Sequence, residues 1–98
     1  MLKVKRLPEF DAWFDNLKDI GAKARLNARL KRVTLGNLGD VEPVGESVSE
    51  MREHFGPGWR MYFVQEGHTI IVMLSGGTKS TQKRDIARAI ALSKTLEA

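Results

Sequence analysis

The sequence predicts an α+β domain with two amphipathic helices in its N-terminal half, a small antiparallel sheet after them, and a helix at the C-terminal end. Three observations predict it. Apolar side chains recur at helical spacing in Phe10, Trp13, Phe14, Leu17 and Ile20, and again in Leu26, Leu30 and Val33. Runs rich in aromatic and β-branched residues between Val48 and Leu74 are separated by short glycine-containing turns, the pattern of strands that reverse directly on one another. A further helical period, Ile86, Ala89, Ile90, Ser93 and Leu96, closes the chain.

At 98 residues the chain reads as a single domain, with no repeat, low-complexity tract or linker to divide it. A domain of that size buries roughly 60 to 70% of its unfolded surface, enough for one core without staples. The absence of Cys excludes a disulfide scaffold, a zinc ribbon and thiol catalysis. His54 and His68 are the only histidines, too few for a typical catalytic zinc site, so neither metal nor cofactor is expected. No apolar run approaches the roughly 20 residues of a membrane span, and Met1 to Pro8 lack the apolar stretch of a signal peptide. The expectation is a cytoplasmic protein with no membrane partner. A formal net charge of +4 favours a polyanion or an acidic protein as the target.

Leu2 to Leu7 reads as a short strand, with Leu2, Val4 and Leu7 inward and Lys3 and Lys5 outward. Pro8 suits the first position of a helix, where its missing N–H is not needed, and Gly21 marks that helix's end. A second helix runs from about Ala22 to Leu35. It carries Lys23, Arg25, Arg29, Lys31 and Arg32 with no acid between residues 20 and 39. Arg25, Arg29 and Arg32 recur at i, i+4 and i+7 and so form a basic ridge, which either lies along a phosphate backbone or is a solvated helix face. Gly36 to Asp40 is turn chemistry, and Val41 to Ser47, with Pro43 and Gly45, reads as a loop.

Three antiparallel strands follow as a meander. The third, Ile70 to Leu74, is continuously apolar, which indicates a strand covered on both faces or at least well inside the sheet. A two-residue turn at Glu66-Gly67 sets Met61 opposite Val72 and Phe63 opposite Ile70. A three-residue loop at Gly56-Pro57-Gly58 sets Phe55 opposite Trp59 and Met51 opposite Phe63. These apolar pairs define the core face, and Glu53, which shares their parity, belongs at an edge or signals an offset register. Side-chain alternation then gives the other face Glu50, Arg52, His54, Arg60 and Tyr62. His54 falls beside Arg60 and Arg52 beside Tyr62, about 5 Å apart, a cluster on the scale of one phosphate group. Gly76-Gly77-Thr78-Lys79 leads into the last helix, with Ser80 or Thr81 as cap, Asp85 near its positive end, and Lys83, Arg84 and Arg88 near its start, a candidate anion site. The Gly-x-x-x-x-Gly-Lys spacing of a nucleotide loop is absent, so nucleotide binding is not expected.

Arginine, lysine, histidine and tyrosine without a metal suit cleavage of RNA by its own 2′-hydroxyl. The substrate supplies the nucleophile, and the protein supplies positive charge and proton transfer. The products are a 2′,3′-cyclic phosphate and a 5′-hydroxyl. Arginines match phosphate oxygens in bidentate fashion, and aromatic side chains stack on unpaired bases.

Five segments in order, Phe10-x-x-Trp13, Gly36-Asn37-Leu38-Gly39-Asp40, Glu50-Met51-Arg52, Gly56-Pro57-Gly58-Trp59-Arg60-Met61-Tyr62-Phe63 and Gly76-Gly77-Thr78-Lys79-Ser80-Thr81-Gln82-x-x-Asp85-Ile86, carry a resemblance over nearly the whole chain. They resemble the RelE/ParE toxin superfamily, and most closely its HigB-like addiction module killer branch. The resemblance implies a RelE-like fold of two N-terminal helices packed on a small antiparallel sheet with a C-terminal helix. It implies the toxin of a type II toxin–antitoxin pair, a metal-independent endoribonuclease that cuts mRNA on the ribosome. The implied partners are the ribosome with its mRNA and a cognate antitoxin, a small helix-turn-helix protein through which operator DNA is reached only indirectly.

Arg60 stands where such toxins carry the sheet arginine that contacts the scissile phosphate. Arg52 matches a basic position on the preceding strand, and Lys79 the basic position just after the last strand. Some relatives carry a tyrosine in the C-terminal segment where this chain has Ile86, so proton transfer is expected from His54 and Glu50, with Lys79 as an alternative. Tyr62 is expected to stack on a base or hydrogen-bond to the RNA, with ordinary sheet packing as the alternative, and Arg25, Arg29, Arg32, Lys83 and Arg84 to grip ribosomal RNA. Gln82 and Asp85 read as helix caps or arginine partners. Two competing functions fit the same architecture, a ParE-like gyrase inhibitor and an inactive antitoxin-binding regulatory module. The first needs no phosphate-binding cluster on the sheet, so Arg52, Arg60 and Lys79 together favour the nuclease. The expected free state is a monomer that assembles through its antitoxin.

Overall fold

The chain runs β1 (Lys3–Arg6), α1 (Pro8–Asp15), α2 (Ile20–Thr34), β2 (Val41–Gly45), β3 (Val48–Arg52), β4 (Trp59–Glu66), β5 (Ile70–Thr78), a single 3₁₀ turn and α3 (Gln82–Lys94). This is a computed structural model, and it describes residues 1–96; the last two positions of the single domain read from the sequence, 97 and 98, lie outside the described residues. The fold is α+β, with three helices and one five-stranded sheet ordered β1-β5-β4-β3-β2. The sheet is mixed rather than purely antiparallel, because β1 runs parallel to β5. The expected meander, β3-β4-β5, forms its middle. The expected loop at Val41 to Ser47 is instead the edge strand β2, paired with β3. Pro43 sits there without loss because an edge strand leaves one side of its backbone unpaired.

Both faces of the sheet are covered. On one, Phe10 and Phe14 of α1 and Leu26, Leu30 and Val33 of α2 pack against Met51, Met61, Phe63, Ile71 and Met73. On the other, Ala89, Ile86 and Ile90 of α3 pack with Val48, Val64, Val72, Leu74 and Tyr62. The continuous apolar run of β5 follows from its place between β1 and β4 under both layers.

Two boundaries move from their expected positions. The first helix ends at Asp15, not Gly21, because the Asp19 carboxylate accepts the Ala22 N–H at 3.0 Å and caps a new helix there. Ile20 thereby leaves the apolar stripe and is 82% exposed. The β4–β5 turn is Gly67 to Thr69, so Phe63 opposes Met73 and Val64 opposes Val72. Beyond that pairing the register slips by one residue, leaving Leu74 unpaired between Met73 and Ser75, and Met61 then opposes Gly76. The Gly-Gly pair therefore belongs to the strand and forms no anion loop. Gly76 is bare because the Trp13 ring lies where a Cβ would stand, and Gly77 because the Asp85 carboxylate does.

Candidate functional site

Antiparallel pairing sets Arg52 opposite Arg60, Glu50 opposite Tyr62, Tyr62 opposite Ser75 and Arg60 opposite Gly77. Glu50, Arg52, Arg60 and Tyr62 thus share one face, as alternation predicts. Their neighbours differ from the expected His54–Arg60 and Arg52–Tyr62 pairs because the β3–β4 register is offset by two residues, which preserves the face while shifting the partners. The offset also carries His54 and Glu53 past the end of β3.

That face is not an open surface, because α3 lies over it. Glu50 is 2% exposed, Arg60 5% and Tyr62 not at all. Gln82, the first residue of α3, donates from Nε2 to both Glu50 oxygens at 2.9 and 3.0 Å, and the Thr81 hydroxyl donates to Asp85. Arg60 Nε stands 4.0 Å from Glu50 Oε2, an ion pair too long for a hydrogen bond, while its NH1 donates to the carbonyls of Trp59 (3.1 Å) and Glu53 (3.4 Å). Among the described residues, Arg60 Nε, the Tyr62 hydroxyl and the Ser75 hydroxyl are buried without a hydrogen-bond partner. Burial, with the Glu50 and Asp85 carboxylates nearby, pushes the Tyr62 phenol far above its ordinary pKa, so it stays protonated. Two expectations are corrected on this ground. Tyr62 does not stack on a base, and Glu50 does not meet solvent or substrate; its carboxylate is held by Gln82 inside the protein.

The open part of the site is the end of the β3–β4 hairpin. Asp40, in the turn before β2, accepts a hydrogen bond from Arg52 NH2 on Oδ1 (3.0 Å) and contacts His54 Nε2 through Oδ2 (2.7 Å). The hydrogen bond with His54, and then that from Arg52, holds the Asp40 carboxyl below its ordinary range. His54 is exposed and Arg52 half-buried. Lys79 joins from the end of β5: its backbone N–H donates to the Gly58 carbonyl at 2.9 Å. Gly58 has a positive φ of 77° and no Cβ, and a Cβ there would meet Lys79 Cβ at 3.2 Å and Arg60 NH1 at 3.4 Å. Only glycine lets those two side chains flank the loop so closely.

The expected basic ridge on α2 is broken at its centre. Arg29 is 4% exposed and faces inward. Its NH1 donates to the Arg52 carbonyl and the Glu53 carboxylate, and its NH2 to the carbonyls of Leu38 (2.9 Å) and Asp40 (2.7 Å). It ties the Gly36 to Asp40 turn to the end of β3, and is not available to RNA. Arg25 and Arg32 remain exposed, Arg25 with its guanidinium 3.7 Å above the Phe55 ring. Lys83 and Arg84 are exposed on the first turn of α3, where they line an open groove with Ser80, Thr81 and Ala87.

Sequence reasoning passed over three residues. Asp40 reads as ordinary turn chemistry, Glu53 as a parity error, and Gln82 as a cap. Only Glu53 gave a signal, a charge at core parity one residue after Arg52, which marks the place where Arg29 needs a counter-charge. Among the described residues no three His, Asp or Glu side chains group to hold a metal ion, and no helix is long and apolar enough to cross a membrane.

No protein-family model matches the chain, and no solved structure matches it at a significant level. An uncharacterized protein of Haemophilus influenzae strain Rd is 39% identical to it over 95 residues, 97% of this chain and 96% of that protein. The chain belongs to that protein's family. The similarity runs through nearly the whole length of both chains, so it takes in the hairpin end together with the helix that covers the sheet behind it.

Proposed function

We propose that the chain is the toxin of a type II toxin–antitoxin pair, a HigB-like member of the RelE/ParE superfamily that cuts ribosome-bound mRNA through the RNA's own 2′-hydroxyl. One observation carries the reading. Arg52 and Arg60 face each other across β3 and β4, Lys79 is tied to the Gly58 that separates it from Arg60, and His54 stands on the same hairpin end.

Three cations around one loop suit a phosphate whose charge grows in the transition state. Arg52 and Lys79 meet its oxygens from the rim. Arg60 is too buried for the expected direct contact with the phosphate; it acts from beneath through its charge, which weak screening strengthens and the Glu50 carboxylate 4.0 Å away partly offsets. Its NH1 is fixed on two backbone carbonyls, so it needs little reorganisation when the charge develops. His54 supplies proton transfer, and Arg25, Arg32, Lys83 and Arg84 supply salt-dependent contacts to ribosomal RNA. The cognate antitoxin, the ribosome and its mRNA are the partners in this reading, and the protein acts in the cytoplasm.

The test is mRNA cleavage by purified protein in a reconstituted translation reaction, with and without ribosomes, beside Arg60→Ala. Cuts that need ribosomes and fall at least about 100-fold in the variant are expected. Intact mRNA from a protein that still arrests growth overturns the reading and directs the search to a protein target such as gyrase.

A further inference from the structure

We infer that Asp40 is the positioning residue that makes His54 the general base of this site, an assignment that rests on the nuclease reading above. The Asp40 carboxylate uses its two oxygens separately. Oδ1 takes the Arg52 guanidinium at 3.0 Å, and Oδ2 lies 2.7 Å from His54 Nε2. A carboxylate is an acceptor only, so the proton of a neutral His54 ring sits on Nε2 and points at Asp40. Nδ1 is then left with its lone pair, on a ring that is largely exposed. A histidine fixed in one tautomer by a carboxylate behind it, with the opposite nitrogen bare, is the arrangement a general base needs.

Asp40 is itself held from the inside. Its carbonyl accepts Arg29 NH2 at 2.7 Å and the Arg52 backbone N–H at 3.0 Å. The buried Arg29 also holds the Leu38 carbonyl, so the turn carrying Asp40 is anchored on α2 and β3 together. An exposed ion pair usually contributes little because its side chains wander. Here one partner is pinned through its backbone, and Arg52, which shares its carboxylate, projects from a paired strand.

The position fits the chemistry. His54 follows directly on Glu53, whose carbonyl receives Arg60 NH1, so the base and the floor arginine are adjacent along one loop. In the step, Nδ1 takes the 2′-hydroxyl proton as the 2′-oxygen bonds to phosphorus. The bond from phosphorus to the 5′-oxygen breaks, that oxygen leaves with a proton from a water molecule, and the His54 ring returns its proton to the hydroxide so formed, which restores the neutral base. The 2′,3′-cyclic phosphate and the 5′-hydroxyl account for every atom.

Asp40→Asn keeps the shape of the side chain but lets an amide N–H face the ring, which favours the opposite tautomer. In the ribosome-dependent cleavage assay the variant is expected to lose about 100-fold in kcat with KM unchanged. Glu42→Gln, which removes the other carboxylate near Arg52, 3.8 Å away, is expected to cut like the parent. Nitrogen NMR of the histidine rings above pH 8 gives a readout independent of cleavage. The parent's His54 is expected as the Nε2–H tautomer alone, and Asp40→Asn as a mixture. A kcat within twofold of the parent, or a parent ring that populates Nδ1–H, overturns the assignment. A parent that cuts nothing removes the proposed function and the base role with it, and the NMR arm then decides separately whether Asp40 orients the ring.

Discussion

The two faces of the sheet come from the same three central strands yet differ in what they bury. Under α1 and α2, ten apolar side chains from Phe10 to Met73 form one buried cluster, and the buried charge of α2, Arg29, sits at its edge with the Arg52 carbonyl and the Glu53 carboxylate as partners. Under α3 the layer mixes Val48, Val64, Val72 and Leu74 with Glu50, Arg60, Tyr62, Ser75 and Asp85, all under 10% exposed. Every apolar side chain of the first face adds burial free energy at about 25 cal/mol per Å². The second face gives some of that up and leaves Arg60 Nε and the Tyr62 and Ser75 hydroxyls without partners, as Arg29 Nε, Arg52 Nε and Trp59 Nε1 are left elsewhere among the described residues, and each such buried group lowers stability. The first face holds the fold together. The second places a fixed arginine under the hairpin end.

Substitutions break or sharpen this contrast. Phe10→Ala, at a fully buried position on the first face, is expected to cost about 3 to 5 kcal/mol of stability, read by urea denaturation. Gly76→Ala on the same face forces a methyl against the Trp13 ring and is expected to cost about 1 to 3 kcal/mol. A loss well under 1 kcal/mol in either case means that the first face is not the better packed of the two.

On the second face, Tyr62→Phe removes a buried hydroxyl that has no partner, so stability is expected to stay within about 1 kcal/mol of the parent or to rise. A large loss in thermal melts shows that the hydroxyl is engaged after all. Acid unfolding tests the hairpin end. The Asp40 carboxyl is depressed in the folded chain, so its stabilising effect is present above the unfolded value near 3.8 and disappears as pH falls through the lower folded value. Asp40→Asn is expected to flatten the stability–pH curve in that window, and an unchanged curve contradicts the ion cluster. The smallest effect belongs to Lys83→Ala with Arg84→Ala. Stability is expected to move by about 0.5 kcal/mol or less, while the slope of log affinity for ribosomal RNA against log salt falls by about 0.7 for each phosphate that these side chains neutralise.

The helices, the β3-β4-β5 meander and the parity of its strands were legible because each rests on local periodicity, whereas β2 reads as a loop and the parallel pairing of β1 with β5 has no local sign. Phe10, Leu26 and Phe63 are buried where their spacing puts them. Partners and covers were not legible, because they depend on contacts distant in sequence. Arg29 shares its helical spacing with Arg25 and Arg32, and nothing local says that Leu38, Asp40 and Arg52 carbonyls await it. Glu50 and Tyr62 alternate as solvent-facing residues should, and only the placement of Gln82, thirty-two residues after Glu50, closes the face over them. Asp40 carried no signal at all, since Gly-Asp before a strand is common turn chemistry.

The most direct test of the hairpin end as an RNA-cleaving site replaces the nucleotide 5′ to the mapped cut with its 2′-deoxy counterpart in an otherwise unchanged mRNA and repeats the ribosome-dependent reaction. The account predicts that cutting at that position stops, while the unmodified message yields a 2′,3′-cyclic phosphate and a 5′-hydroxyl. Undiminished cutting of the deoxy position contradicts it, because the attacking oxygen then belongs to something other than the RNA.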